Sequence, residues 1–129
     1  MSKRIFINMP QDAIDAYIAS MKVVFDTADA EMYRKNWRNA SGFYQIQSGF
    51  ESEDEFLASC WDADRKHHMA VLADLHSLIE HCDADRLKSR LWYQNKASRS
   101  YFEAVTGVRL GKSDKTMRAA IDAWIASVA

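Results

Sequence analysis

Apolar residues recur along most of this chain with a period near 3.6, and that spacing predicts helices. From Gln11, the residues Ile14, Tyr17, Ile18, Met21, Val24, Phe25, Ala28 and Met32 share one face, with Asp12, Asp15, Lys22, Asp26 and Asp29 opposite. Pro10 suits the first turn of this helix, where a missing N–H leaves no bond unmade. Beyond Met32 the stripe drifts. Tyr33 and Trp37 fall on the formerly polar side, which predicts a break near 26–29 or a new packing partner.

Further along, Ser52 and Glu55 have the spacing of a capping box. The helix they start carries Phe56, Leu57, Cys60 and Trp61, then Val71, Leu72, Leu75, Leu78, Ile79 and Cys82. Asp83 or Asp85 can cap a helix over 84–106, with Leu87, Leu91, Tyr101, Phe102 and Val105 on its apolar side. Gly107 ends it, and Ser113 caps a last helix built on Met117, Ala120, Ile121, Trp124, Ile125 and Val128. Two segments read differently. Residues 4–8 are β-prone, and residues 43–50, "FYQIQSGF", fit a short strand or an aromatic loop.

Composition agrees with helix. Only four glycines and one proline occur in 129 residues, few for a β fold rich in tight turns, while 48% hydrophobic residues suffice for a core. The expectation is a mainly α protein: one helical domain over residues 1–129, a bundle of about four to six helices. A short β element is expected, if anywhere, near the N-terminus or at 43–47. No apolar run approaches the length of a membrane span or of a secretion signal, so a soluble, cytoplasmic protein without a membrane partner is expected. Cys60 and Cys82 are expected to be buried free thiols. On one continuous helix they would lie about 33 Å apart, too far to bridge.

Charge changes the picture more. The formal net charge of −1 conceals eleven acids against four bases in residues 11–64, and nine bases against two acids in residues 86–118. Such polarity creates a basic face for an anionic partner, or lets acidic and basic halves attract within the fold or between subunits. A homo-oligomer is therefore compatible with the sequence.

Three constellations invite a chemical reading. "TGVRLGKS" (106–113) approaches a phosphate-binding loop, but Gly107 and Gly111 enclose three residues rather than four, and helical rather than strand spacing precedes them. Its residues are better read as a helix end, a turn and a cap. Asp64 with His67 and His68 places a carboxylate within reach of an imidazole on one helix face, with Cys60 one turn earlier. That set falls short of the three or four ligands of a usual metal site, so no metal and no cofactor is expected. "DADR" (62–65) could instead break the helix. The third is Trp92, which by helical phase points away from the apolar stripe of 84–106, beside Lys88, Lys96 and Arg99. A tryptophan among cations is typical of recognition surfaces. Tyr33, Arg34, Lys35, Trp37 and Arg38 have a similar character. Gln94 and Ser98 sit on the nominally apolar side and suggest a close helix crossing or polar seam.

The expectation that follows is a non-catalytic protein, a small adaptor or inhibitor that works through contacts with an acidic protein partner. Small inhibitors of phages and mobile elements are instances of that class. Lys88, Trp92, Lys96, Arg99, Lys112 and Lys115 are the expected binding residues, and no catalytic residue is assigned. Nucleic-acid binding by the same basic half is the alternative. A metal-dependent or acid–base enzyme around Asp64 and His68 ranks third.

Overall fold

A computed structural model describes residues 4–39, 49–93 and 95–128. Among them the protein is all-α, as the periodicity predicts. Its helices are α1 (Gln11–Val24), α2 (Ala30–Asn39), α3 (Glu53–Glu80), α4 (Ala84–Tyr93), α5 (Lys96–Thr106) and α6 (Asp114–Val128). A π turn, Phe25–Asp29, joins α1 to α2 without interruption. The β element expected at 43–47 falls outside the described residues. The chain forms two compact units, Ile18–Met69 and the described residues of Met1–Tyr17 with Ala70–Ala129.

In the unit Ile18–Met69, the π turn accounts for the drifting stripe. The Ala30 N–H donates to the Phe25 carbonyl, five residues back rather than four. At about 100° per residue, Tyr33 and Trp37 would lie roughly 80° and 120° from Phe25 on an uninterrupted α-helix. Discounting one inserted residue brings both within about 20° of it. The aromatic rings then form a continuous row. Phe25 stacks on Tyr33 at 5.7 Å and meets Trp61 at 5.4 Å, while Phe56 contacts Tyr33, Trp37 and Phe50. The cations between these rings are neutralised by the first turn of α3. Arg34 reaches Glu53 at 3.1 Å and Asp54 at 3.3 Å, and Arg38 reaches Glu53 at 3.0 Å. The rings of 33–38 thus pack together, and both its arginines have carboxylate partners. The capping box also forms, one residue out of register. Glu55 N–H donates to Ser52 Oγ, but the Glu55 carboxylate accepts from the Glu51 N–H.

The other unit is organised around a buried histidine. Helix α3 runs unbroken through 62–65, so "DADR" is no break, and its later turns bury Leu72, Leu75, His76, Leu78 and Ile79. His76 Nε2 lies 2.7 Å from the Ile7 carbonyl, which can only accept, so Nε2 donates. In the neutral ring, Nδ1 then accepts from the Tyr101 hydroxyl at 2.8 Å. The β-prone segment 4–8 does not form a strand. Instead its backbone satisfies the end of α3: Ile5 N–H donates to the Glu80 carbonyl at 2.7 Å, and Ile7 N–H to the Glu80 carboxylate at 3.4 Å. A free helix terminus serves as well as a strand edge for those amides.

Helix α3 closes with Cys82 in the left-handed conformation, φ 52°. Cys82 N–H donates to the Ile79 carbonyl and Asp83 N–H to the Leu78 carbonyl, the paired bonds of a Schellman ending. Asp83 then caps α4 through the Arg86 N–H. Both cysteines are free, and both are half-buried rather than fully buried. The expected helix over 84–106 is two helices. Asn95 interrupts it, its side chain accepting from the Ser98 N–H at 3.1 Å as the cap of α5. That turn draws Ser98 fully inside, beside Tyr101 and Phe102. Gln94 lies outside the described residues. Helix α4 packs against α6, with Lys88 and Asp122 paired at 2.7 Å.

Two outcomes follow. Deleting Ala28, an exposed residue of the π turn, restores α-helical bonding but rotates Tyr33 and Trp37 away from Phe25. Urea denaturation with near-ultraviolet dichroism should show a loss of at least about 2 kcal/mol together with the aromatic signal. An unchanged spectrum would contradict the packing role of the insertion. The second outcome concerns Tyr101, whose phenol is pushed up to about 12 by burial and, secondarily, by the charge of Glu80. A folded value above the unfolded 10.0 stabilises fully below pH 10 and is lost as pH climbs towards 12. Stability should therefore fall by on the order of 3 kcal/mol across that window. Burial raises Tyr17 in the same sense. Tyr101→Phe should remove most of the slope, and an equally steep decline in that variant would contradict the assignment.

Candidate binding site

Helix α5 turns Ser98, Tyr101 and Phe102 inward, and the same phase turns Lys96, Arg99, Ser100 and Glu103 outward. Gly107 ends the helix at φ 75°, its N–H donating to the Glu103 carbonyl. The loop that follows is tied back to the helix it leaves. Leu110 N–H donates to Glu103 Oε2 at 3.0 Å, which buries Leu110 and returns the chain past the outward face of α5. Gly111 is needed at the bend: its φ is 76°, and a Cβ there would lie 2.7 Å from Thr116 Oγ1. Ser113 then caps α6. Its hydroxyl accepts from Thr116 N–H at 3.1 Å, and Thr116 Oγ1 accepts from Ser113 N–H at 3.2 Å. So "TGVRLGKS" is a helix end, a tied loop and a cap, as its spacing indicated.

Between the loop and α5 lies a pocket of about 370 Å³. Trp92, Lys96, Arg99 and Lys112 line it, with Glu103, Leu110 and Met117. Four of the six residues expected from the sequence are therefore brought together. Trp92 is 40% exposed, and Arg99 is steadied by a bond from Nη1 to the Leu91 carbonyl at 3.2 Å. Lys115 is exposed and outside the lining. Lys88 is not part of the site, because its side chain is only 15% exposed and is paired with Asp122. The sequence reading placed Lys88 beside Trp92 by helical phase but could not foresee the carboxylate that α6 supplies. Sequence reading also missed Glu103, Leu110 and Met117. The Glu103–Leu110 bond spans seven residues across a helix end, and no periodicity encodes it.

The electrostatics of this face differ from the rest of the chain. Lys22, Arg34, Lys35, Arg38, Lys66, Arg86, Lys88, Arg90 and Arg118 each have a carboxylate partner within 4.0 Å, and so does Arg4. Among the described residues, the cations without one are Arg65 and then Lys96, Arg99, Arg109, Lys112 and Lys115. All but Arg65 fall within twenty residues of chain around the pocket.

The two other candidate clusters carry less. In the unit Ile18–Met69, burial depresses the His68 imidazole against the opposing charge of Asp64, and burial together with Asp64 raises the Cys60 thiol. Both shifts favour the uncharged forms, neutral imidazole and thiol. His67 is exposed, its ring 5.7 Å from that of His68. Among the described residues, no group of three or more His, Cys, Asp and Glu side chains is placed to hold a metal ion. A second pocket, about 720 Å³, is lined by Asp74, His81, Cys82, Asp83, Asp85 and Arg86 among others. Arg90 pairs with Asp74 and Arg86 with Asp83, so much of its charge is already matched. Among the described residues no helix is long and apolar enough to cross a membrane.

Trp92 and Trp124 should separate cleanly on truncation. Trp124 is 7% exposed and meets Phe102 edge-on at 5.6 Å, so Trp124→Ala should cost about 3–5 kcal/mol in urea denaturation. Trp92→Ala should cost less than half as much. Equal costs would place Trp92 in the core and remove it from the site.

Compared with family models, curated proteins and solved structures, the chain matches none.

Proposed function

We propose that this is a non-catalytic binding protein, an adaptor or inhibitor whose basic face, formed by α5 and the loop before α6, meets an acidic surface of a protein partner. The observation that carries this reading is the segregation of unpaired cations. An isolated surface ion pair contributes little, so evolution has no strong stability reason to pair every cation. Yet pairing is the rule elsewhere in the chain, and its lapse is concentrated beside a half-exposed tryptophan. Aromatic side chains supply contact area while cations steer encounter and fix register.

The test is co-purification of the tagged chain from its native host at low salt, beside the variant Lys96→Glu/Lys112→Glu/Lys115→Glu. A stoichiometric protein retained by the native chain and lost from the variant is expected. Recovery of nuclease-sensitive nucleic acid in place of protein would favour the alternative reading, with affinity falling steeply as salt rises. Equal recovery of the same protein by both chains would remove the basic face from the account.

A further inference from the structure

The pocket itself is more selective than the basic face around it. Resting on the binding reading above, we infer that it takes a paired feature of an acidic protein segment: one carboxylate side chain and one apolar side chain, held side by side. Its two walls have different chemistry. Lys96, Arg99 and Lys112 supply cationic donors, while the half-exposed ring of Trp92 supplies the apolar surface, with the buried Leu110 and Met117 forming the floor beneath it. Three cations face one carboxylate, Glu103, and that carboxylate is engaged by the Leu110 N–H. The surplus suits one or two negative charges. Arg99 is already oriented by its bond to the Leu91 carbonyl, which leaves further guanidinium N–H groups for a bidentate carboxylate. The loop is tied at Leu110, bent at Gly111 and capped at Ser113, so the shape exists before any ligand arrives.

Size and lining favour a protein segment over a single strand of nucleic acid. A volume of about 370 Å³ is near the lower end for ligand pockets and accommodates one or two side chains. Single-strand binders instead need a groove that tracks about 4–16 nucleotides with several stacking platforms. Here one ring, Trp92, lines the pocket. Glu103 on the wall also works against a run of phosphates. For a segment bound in extended form, side chains on one face are two residues apart, which puts the carboxylate and the apolar group at i and i+2.

The experiment is fluorescence anisotropy with a labelled, extended peptide carrying Glu and Leu two residues apart. Its competitors are the Gln isostere, the Glu peptide with Leu replaced by Ser, and a single-stranded oligonucleotide of equal charge. The acidic–apolar peptide should bind the native chain, and each altered peptide should bind at least about tenfold more weakly. Lys96→Glu/Lys112→Glu should abolish the preference for Glu over Gln, and Trp92→Ala the preference for Leu over Ser. Arg109→Glu/Lys115→Glu, on the basic face but outside the lining, should weaken binding of all the acidic peptides alike and leave both preferences intact. Thermal denaturation of each variant verifies folding. No peptide binding, or binding that follows Arg109 and Lys115 and ignores the pocket variants, overturns the pocket inference. In the second case the basic-face reading stands. An oligonucleotide that displaces the peptide from the native chain overturns both.

Discussion

A buried imidazole must have both ring nitrogens matched, and meeting that demand at His76 sets the geometry of the unit that carries the site. Nε2 requires an acceptor and finds the Ile7 carbonyl, while Nδ1 requires a donor and finds Tyr101. Three separate pieces of chain, the N-terminal segment, α3 and α5, are thereby fixed at one point. Once Tyr101 is turned inward, helical phase leaves no choice about Lys96, Arg99 and Glu103, which must face outward. Glu103 in turn captures the Leu110 amide and shapes the loop. The shape of the pocket thus follows from the packing around one satisfied histidine.

Charge distribution does the complementary work. In the unit Ile18–Met69, Glu53 pairs with Arg34 and Arg38 and Asp54 adds a second partner for Arg34, and the rings between them pack as an aromatic row. Near α4, Lys88 and Arg90 are matched by Asp122 and Asp74. Among the described residues the cations left without a carboxylate partner, Arg65 apart, are grouped around α5 and its loop. Unpaired cations within a Debye length of one another add their fields, so a cluster steers an anionic surface more effectively than the same charges dispersed. A net charge near zero hides this, because the compensating acids lie in a different part of the sequence.

Helices and their apolar faces were legible because burial enforces a 3.6-residue period, and the caps at Ser52, Asp83 and Ser113 have local signatures. The drift after Met32 was legible as an anomaly, whereas its cause, a π turn, has no residue signature in "FDTAD". The division of 84–106 was hidden for a physical reason. Leu87 and Leu91 before the break and Tyr101, Phe102 and Val105 after it keep one helical phase, so only the polar Gln94 and Ser98 interrupt the stripe. The odd presence of Ser98 there was the visible trace of the Asn95 cap. Of the site, the basic, tryptophan-bearing character of α4, α5 and the loop could be read directly. The exclusion of Lys88 and the inclusion of Glu103, Leu110 and Met117 could not, since each depends on a partner supplied by tertiary structure.

The central claim is that recognition occurs on the outward face of α5 and the loop before α6. The most direct measurement is an amide chemical-shift titration of the isotopically labelled chain with the native partner, or with an acidic segment cut from it. The account predicts that the shifts concentrate on residues 92–93, 95–103 and 110–115. Shifts confined to Ile18–Met69, with those residues unmoved, would contradict it.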